Sequence, residues 1–227
     1  MNEIVTIIPT LNESDNILNV IGLLKNNHLN NIIVGIDAST IDATSKILEK
    51  AGIPYVKSVH TGYDPTVKAA ISQINKYFPQ SRYILFADAG VKYDFTIVNT
   101  FLVKVNEGAD LVLGSRLGQR ENMLWHQKLG TQVVLFPIKI LFKRKIEDIS
   151  PFRLIRRDKY EKLKMRGAKF SFPSEMLIKC LALNYKVVEV PIVSLRRQGT
   201  SKVSGSFKNS ISAGKDMFTS LQFAWFK

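Results

Sequence analysis

The chain has 227 residues, 45% hydrophobic and 22% charged, with a net charge of +13. That is ordinary globular usage in a length that suits one α/β domain with a small appendage. The single cysteine, Cys180, excludes an internal disulfide framework and a cysteine-rich zinc site.

The start, MNEIVTIIPT, lacks a basic segment ahead of its apolar run and so does not read as a signal peptide. EIVTIIP reads as a buried strand. SDNILNVIGLLKNN then places Ile17, Ile21 and Leu24 on one helical face, with Ser14 the expected N-cap. NIIVGID is a second strand, and DATSKILEKAG a helix closed by Gly52. PYVKSV, PTVKAAISQINKYF, YILFAD, FTIVNTFLVKVNEG and DLVLGS continue the alternation of strand and helix. This order predicts βαβ units and a mostly parallel sheet.

Ligands of such sheets bind beyond the carboxyl ends of the strands. Thr10, Asn12 and Glu13 stand after the first strand, Asp37 after the second, Asp88 after the fourth, and Ser115 and Arg116 after the fifth. They are expected on one edge. In LFADAGVKYD, Asp88 is followed by Gly90 where a second carboxylate would complete a metal clamp, and then by Lys92. A lone carboxylate there fits a metal site, a site that works without metal, or a plain turn.

The second half differs. Residues 1–113 hold 9 Lys/Arg against 11 Asp/Glu, and residues 114–227 hold 23 against 8. A basic half of this kind faces phosphate, lipid headgroups or nucleic acid. No nucleic-acid motif accompanies the charge, so nucleic acid is not the expected partner. HQKLGTQVVLFPIKILFKRK spaces Leu129, Val133, Phe136 and Ile140 as a helix does, with Pro137 predicting a kink or a break. FRLIRR reads as a strand, FPSEMLIKCLALN as a helix, KVVEVPIVSL as a strand and RRQGTSKVSGS as a basic loop. Phe207, Ile211, Phe218, Leu221 and Trp225 then mark an amphipathic helix. No run approaches the roughly 20 apolar residues of a membrane span.

Seven segments in order, IIPTLNESDNI, IDASTIDAT, ILFADAG, ADLVLGSR, DISPFRLIRR, FPSEMLIKCLALNYKVVEVPI and RRQGTSK, resemble family-2 glycosyltransferases over roughly residues 3–210. MLWHQKLG, PFRLIRRD and RRQGTSKVSG are most similar to the dolichyl-phosphate mannose or glucose synthases and related polyprenyl-phosphate glycosyltransferases. The resemblance implies an α/β GT-A fold at 1–205, with a nucleotide-sugar half at 1–115 and an acceptor half at 116–205, and an amphipathic helix at 206–227. It implies inverting transfer from a nucleotide diphosphate sugar to a polyprenyl phosphate. Pro9, Leu11 and Glu13 would line the nucleotide pocket, and Asp37 would hold the base or ribose. Asp88 would hold a divalent cation, Mg²⁺ or Mn²⁺, on the diphosphate, and Lys92 would share that task. Arg116, His126, Arg197 and Lys202 would address the acceptor phosphate. Ala38 and Gly90 depart from the family pattern.

An ionised lipid phosphate needs no general base, whereas a sugar hydroxyl does. Glu175 is the most suggestive acid on the acceptor side. The expected place is the cytoplasmic face of an anionic membrane, with a homo-oligomer left open. Two alternatives remain: a soluble transferase acting on a hydroxyl, and a catalytically impaired nucleotide-sugar-binding protein.

Overall fold

The computed structural model describes residues 1–90, 92–116, 125–167 and 170–195. Strand β1 (Ile4–Thr10) is buried along its whole length, as a central parallel strand must be. Its side chains alternate. Ile4 and Ile8 enter one apolar layer, while Val5 and Ile7 enter the other.

Helix α1 (Ile17–Asn26) buries Ile17, Val20, Ile21 and Leu24, the stripe expected from the sequence. Ser14 is not its cap. The helix starts at Ile17, whose N–H reaches the Glu13 carbonyl at 2.9 Å. Ser14 instead donates its N–H to Asp42 at 2.9 Å. Strand β2 (Ile32–Ile36), helix α2 (Thr44–Lys50) and strand β3 (Tyr55–Lys57) follow. Gly52 ends α2 with φ 64, the left-handed conformation that favours glycine.

The next expected helix is divided at Gln73 into α3 (Tyr63–Ser72) and α4 (Ile74–Tyr77). Strands β4 (Tyr83–Phe86) and β5 (Lys92–Tyr93) precede a short 3-10 turn capped by Asp94, then α5 (Val98–Asn106) and β6 (Leu111–Ser115). Helix α6 (Trp125–Phe142) runs on past Pro137 instead of breaking there. Leu135 and Ile138, one on each side of the proline, are fully buried, so packing holds both parts of the helix down. Strand β7 (Arg153–Arg156), helices α7 (Arg157–Leu163) and α8 (Phe172–Ala182), and strands β8 (Val187–Pro191) and β9 (Ser194–Leu195) complete the described chain.

Seven strands form one sheet in the order β3-β2-β1-β4-β7-β6-β8. The pairs β1–β2, β1–β4, β2–β3 and β6–β8 are parallel. Strand β7 is antiparallel to β4 and β6, between which it lies. It therefore restores a common direction to its two neighbours. A separate antiparallel ribbon joins β5 to β9. One core layer takes side chains from α1, α2 and α5, the other from α3, α6 and α8. The expected helix at 206–227 lies outside the described residues.

Candidate active site

Because β1, β2, β4 and β6 share one direction, Thr10, Glu13, Asp37, Asp88, Ser115 and Arg116 gather on one edge, as expected. The chain winds from β1 to β2 and β3 on one side and to β4 on the other. The crevice beyond β1 and β4, where the strand order reverses, is the general place for a ligand in such a sheet.

Two loops are laced together there. Thr10 Oγ1 donates to the Gly35 carbonyl at 2.8 Å. Asn12, with φ 52, accepts the N–H groups of Ile41 and Asp42 at 2.8 and 3.3 Å. Asp42 accepts from Thr44 and Ser14. Burial acts to raise the Asp42 pKa, but these hydrogen bonds prevail and hold it down to about 2. Glu13 is buried and accepts from the Asn16 side chain at 3.0 Å. Pro9 is a buried residue of β1, and Leu11 is half-buried just past it.

Asp37 was expected to hold the base or ribose. Its Oδ1 accepts Ser39 N at 2.8 Å and Ser39 Oγ at 2.5 Å, and its Oδ2 accepts Gly62 N at 2.6 Å and Thr66 Oγ1 at 3.4 Å. Asp37 thus ties the β2 turn to the start of α3 and shapes the pocket wall.

Asp88 stands two residues beyond β4, half-buried between the buried Ala87 and Ala89. Two cations feel its charge. Burial lowers the fully buried Arg153 to about 10, against the raising influence of Tyr63, Cys180, Asp148 and Asp88. For Arg116 burial also acts downward. There the hydrogen bond and charge of Asp148, helped by Tyr93 and Asp88, outweigh it and the pKa rises.

The described residues hold no group of three His, Cys, Asp or Glu that could cage a metal. One carboxylate still fits Mg²⁺, which takes one or two carboxylates and completes its shell with phosphate oxygens and waters.

On the acceptor side the structure removes one candidate base. Glu175 is fully buried and accepts the N–H groups of Arg166 and Gly167 at 2.6 and 2.7 Å. Lys179 pairs with it at 2.7 Å. Its task is to hold the turn before α8. Lys92 lies in β5 and His126 in α6, with side chains outside the description. Arg197 and Lys202 lie outside the described residues.

Sequence reasoning missed Asp148, Arg153 and Asp64. Asp148 grips Arg116 across 32 positions. Arg153 donates to the Ser150 and Pro173 carbonyls. Asp64 accepts from Ser171 and Phe172, more than 100 positions away. The pairings of Asp148 with Arg116 and of Asp64 with Ser171 and Phe172 leave no local pattern. The one available signal was charge inside FRLIRR, a segment that otherwise reads as a buried strand.

A mostly parallel sheet with this polar edge and an antiparallel strand let into it is the α/β architecture of the GT-A fold. Glucosyl-3-phosphoglycerate synthase from Mycobacterium tuberculosis, crystallised with Mn²⁺, UDP and glucosyl-3-phosphoglycerate, shares that fold. It superposes with a TM-score of 0.72 at 16% identity, covering 96% of this chain and 78% of the other.

The chain belongs to glycosyl transferase family 2, whose model matches residues 5–164. An uncharacterized glycosyltransferase of Mycobacterium tuberculosis is 25% identical over 217 residues, 95% of this chain and 96% of that protein. A polyprenol monophosphomannose synthase of Mycolicibacterium smegmatis is 25% identical over 222 residues, covering 88% and 80%. The protein is therefore a glycosyltransferase.

Proposed function

We propose that this glycosyltransferase moves a sugar from a nucleotide diphosphate sugar to a polyprenyl phosphate. The observation that carries the choice of acceptor is the commitment of Glu175. It is buried, bonded to two backbone N–H groups and paired with Lys179, so it serves no acceptor hydroxyl as a base. A lipid phosphate brings its own charged nucleophile, with a second pKa of about 6. The similarity to a polyprenol monophosphomannose synthase supports the same acceptor.

A phosphate oxygen attacks the anomeric carbon while the bond from that carbon to the donor diphosphate breaks. The electron pair leaves with the nucleoside diphosphate, and the configuration inverts. Pro9, Leu11 and Glu13 line the nucleotide pocket, and Asp37 holds the base or ribose. Asp88 holds a divalent cation; such ions accompany UDP in the similar crystal structures. When bound, the ion offsets charge building on the leaving diphosphate. Lys92 adds a cation to that charge, and Arg116, His126, Arg197 and Lys202 address the acceptor phosphate.

The test is incubation with labelled nucleotide sugars, with and without polyprenyl phosphate. Label should enter the organic phase only when the lipid is present. Label found on phosphoglycerate or a soluble glycan instead would replace the lipid reading.

A lipid acceptor places the enzyme at a membrane, on the cytoplasmic face where nucleotide sugars are made. No helix among the described residues is long and apolar enough to cross a bilayer. Helix α6 offers an outer face for docking. Phe136, Ile140 and Leu141 are 67%, 61% and 44% exposed, and the exposed cations Lys143, Arg144 and Lys145 follow. Each cation near an anionic surface is worth about 1 kcal/mol. The protein should sediment with phosphatidylglycerol vesicles at low salt. Replacing Lys143, Arg144 and Lys145 with neutral residues should weaken that binding by about 100-fold. Sedimentation unchanged in the triple variant would remove α6 from the docking face.

A further inference from the structure

A guanidinium is a planar donor set with two forks. One is the side edge, Nε with Nη2. The other is the end edge, Nη1 with the second hydrogen of Nη2. In Arg116 the side edge is taken: Nε donates to Asp148 Oδ2 at 2.8 Å and Nη2 to Asp148 Oδ1 at 2.7 Å. The Arg116 backbone N–H adds a third bond to Oδ2 at 2.9 Å.

Asp148 is itself fixed. Its carboxylate is buried, and its own N–H donates to Glu189 Oε1 at 2.9 Å. Glu147 N meets both oxygens of the same Glu189, at 3.1 and 3.0 Å. Glu189 is a residue of β8 in register with Leu113 of β6, the strand that ends beside Arg116. The guanidinium, its carboxylate and the loop carrying that carboxylate are therefore all tied to the sheet edge.

The Arg116 side chain keeps 23% exposure, and Nη1 donates to none of the described residues. The geometry fixes one edge of the arginine and leaves the other without an acceptor among the described residues.

We propose that Asp148 is a positioning residue: it clamps the side edge of the Arg116 guanidinium so that the end edge stands ready as a two-pronged fork for a substrate phosphate. The inference rests on the reading of Arg116 as a phosphate-binding residue. The phosphate belongs to the donor diphosphate or to the acceptor, and separate KM values identify which.

The experiment compares Arg116→Ala, Arg116→Lys, Asp148→Asn and the Arg116→Ala/Asp148→Asn pair in the full chain. It reads kcat, the KM of each substrate and Tm. Arg116→Ala is expected to lose at least tenfold in kcat/KM for the phosphate-bearing substrate. Asp148→Asn should lose a similar factor through KM of that same substrate, and should add less than twofold to Arg116→Ala. Arg116→Lys keeps a cation for Asp148 but has no fork, so it should hold Tm within a few degrees and still lose about tenfold.

A folded Asp148→Asn within twofold of wild type, beside an impaired Arg116→Ala, would overturn the clamp and leave the phosphate reading of Arg116 standing. Full activity in Arg116→Lys would overturn the fork, and it remains measurable even if Asp148→Asn fails to fold. An unimpaired Arg116→Ala would remove the phosphate reading itself.

Discussion

Replacing Asp88 with alanine should lower turnover by at least tenfold, a loss of about 1.4 kcal/mol in transition-state stabilisation. The expectation follows from position. Asp88 lies past the end of β4, at the crevice where the strand order reverses, and the charges of Arg116 and Arg153 respond to it. Its flanking residues Ala87 and Ala89 carry the local packing, at 1% and 2% exposure, and a half-buried carboxylate at the strand tip contributes little to the core. Circular dichroism and Tm should match the wild type while steady-state turnover falls. Wild-type turnover in the folded variant would take Asp88 out of the site.

The second large effect is on stability. Gly35 of β2 lies directly under α3. A Cβ built there would run into the Thr66 carbonyl oxygen and come within 3.0 Å of Thr66 Cγ2. Backbone on both sides leaves little room to give. Overpacking of this kind costs about 1–3 kcal/mol, and at this chain length each kcal/mol lowers Tm by about 2–4 °C. Gly35→Ala should therefore melt several degrees early. Gly22 of α1 is the internal control, because a Cβ there meets nothing within 4 Å. Gly22→Ala should raise stability by about 0.5–1 kcal/mol, as a helical Gly→Ala change does. Equal melting of the two variants would refute the close approach of β2 and α3.

What the sequence conveyed, and what it did not, divides along the range of the interactions. Period-2 and period-3.6 patterns are local. They were enough to place β1, α1 and β2 and to bring Thr10, Glu13, Asp37, Asp88 and Arg116 to one edge. Two details turned on contacts that the local pattern does not state. Ser14 looked like a cap, but Asp42 takes its N–H. Pro137 was read as a kink or a break, and the helix continues past it with Leu135 and Ile138 packed on either side. Strand β7 was legible as a strand and illegible as an insertion. Nothing within RLIR states that it pairs antiparallel with residues 70 positions earlier.

That insertion bears on how the chain acquires its shape during synthesis. Strands β1 to β4 emerge early and pair among themselves, but the free side of β4 has no neighbour until β7 arrives. Strand β6 leaves the ribosome ahead of both its sheet partners, β7 and β8. A nascent chain halted before residue 153 thus carries an open strand edge on an apolar sheet, the kind of surface that pairs with other chains. Quick delivery of residues 153–191 closes both gaps at once, so the latter part of the chain guards the earlier part against aggregation. The two halves suggested by sequence at residue 115 share one sheet through β7.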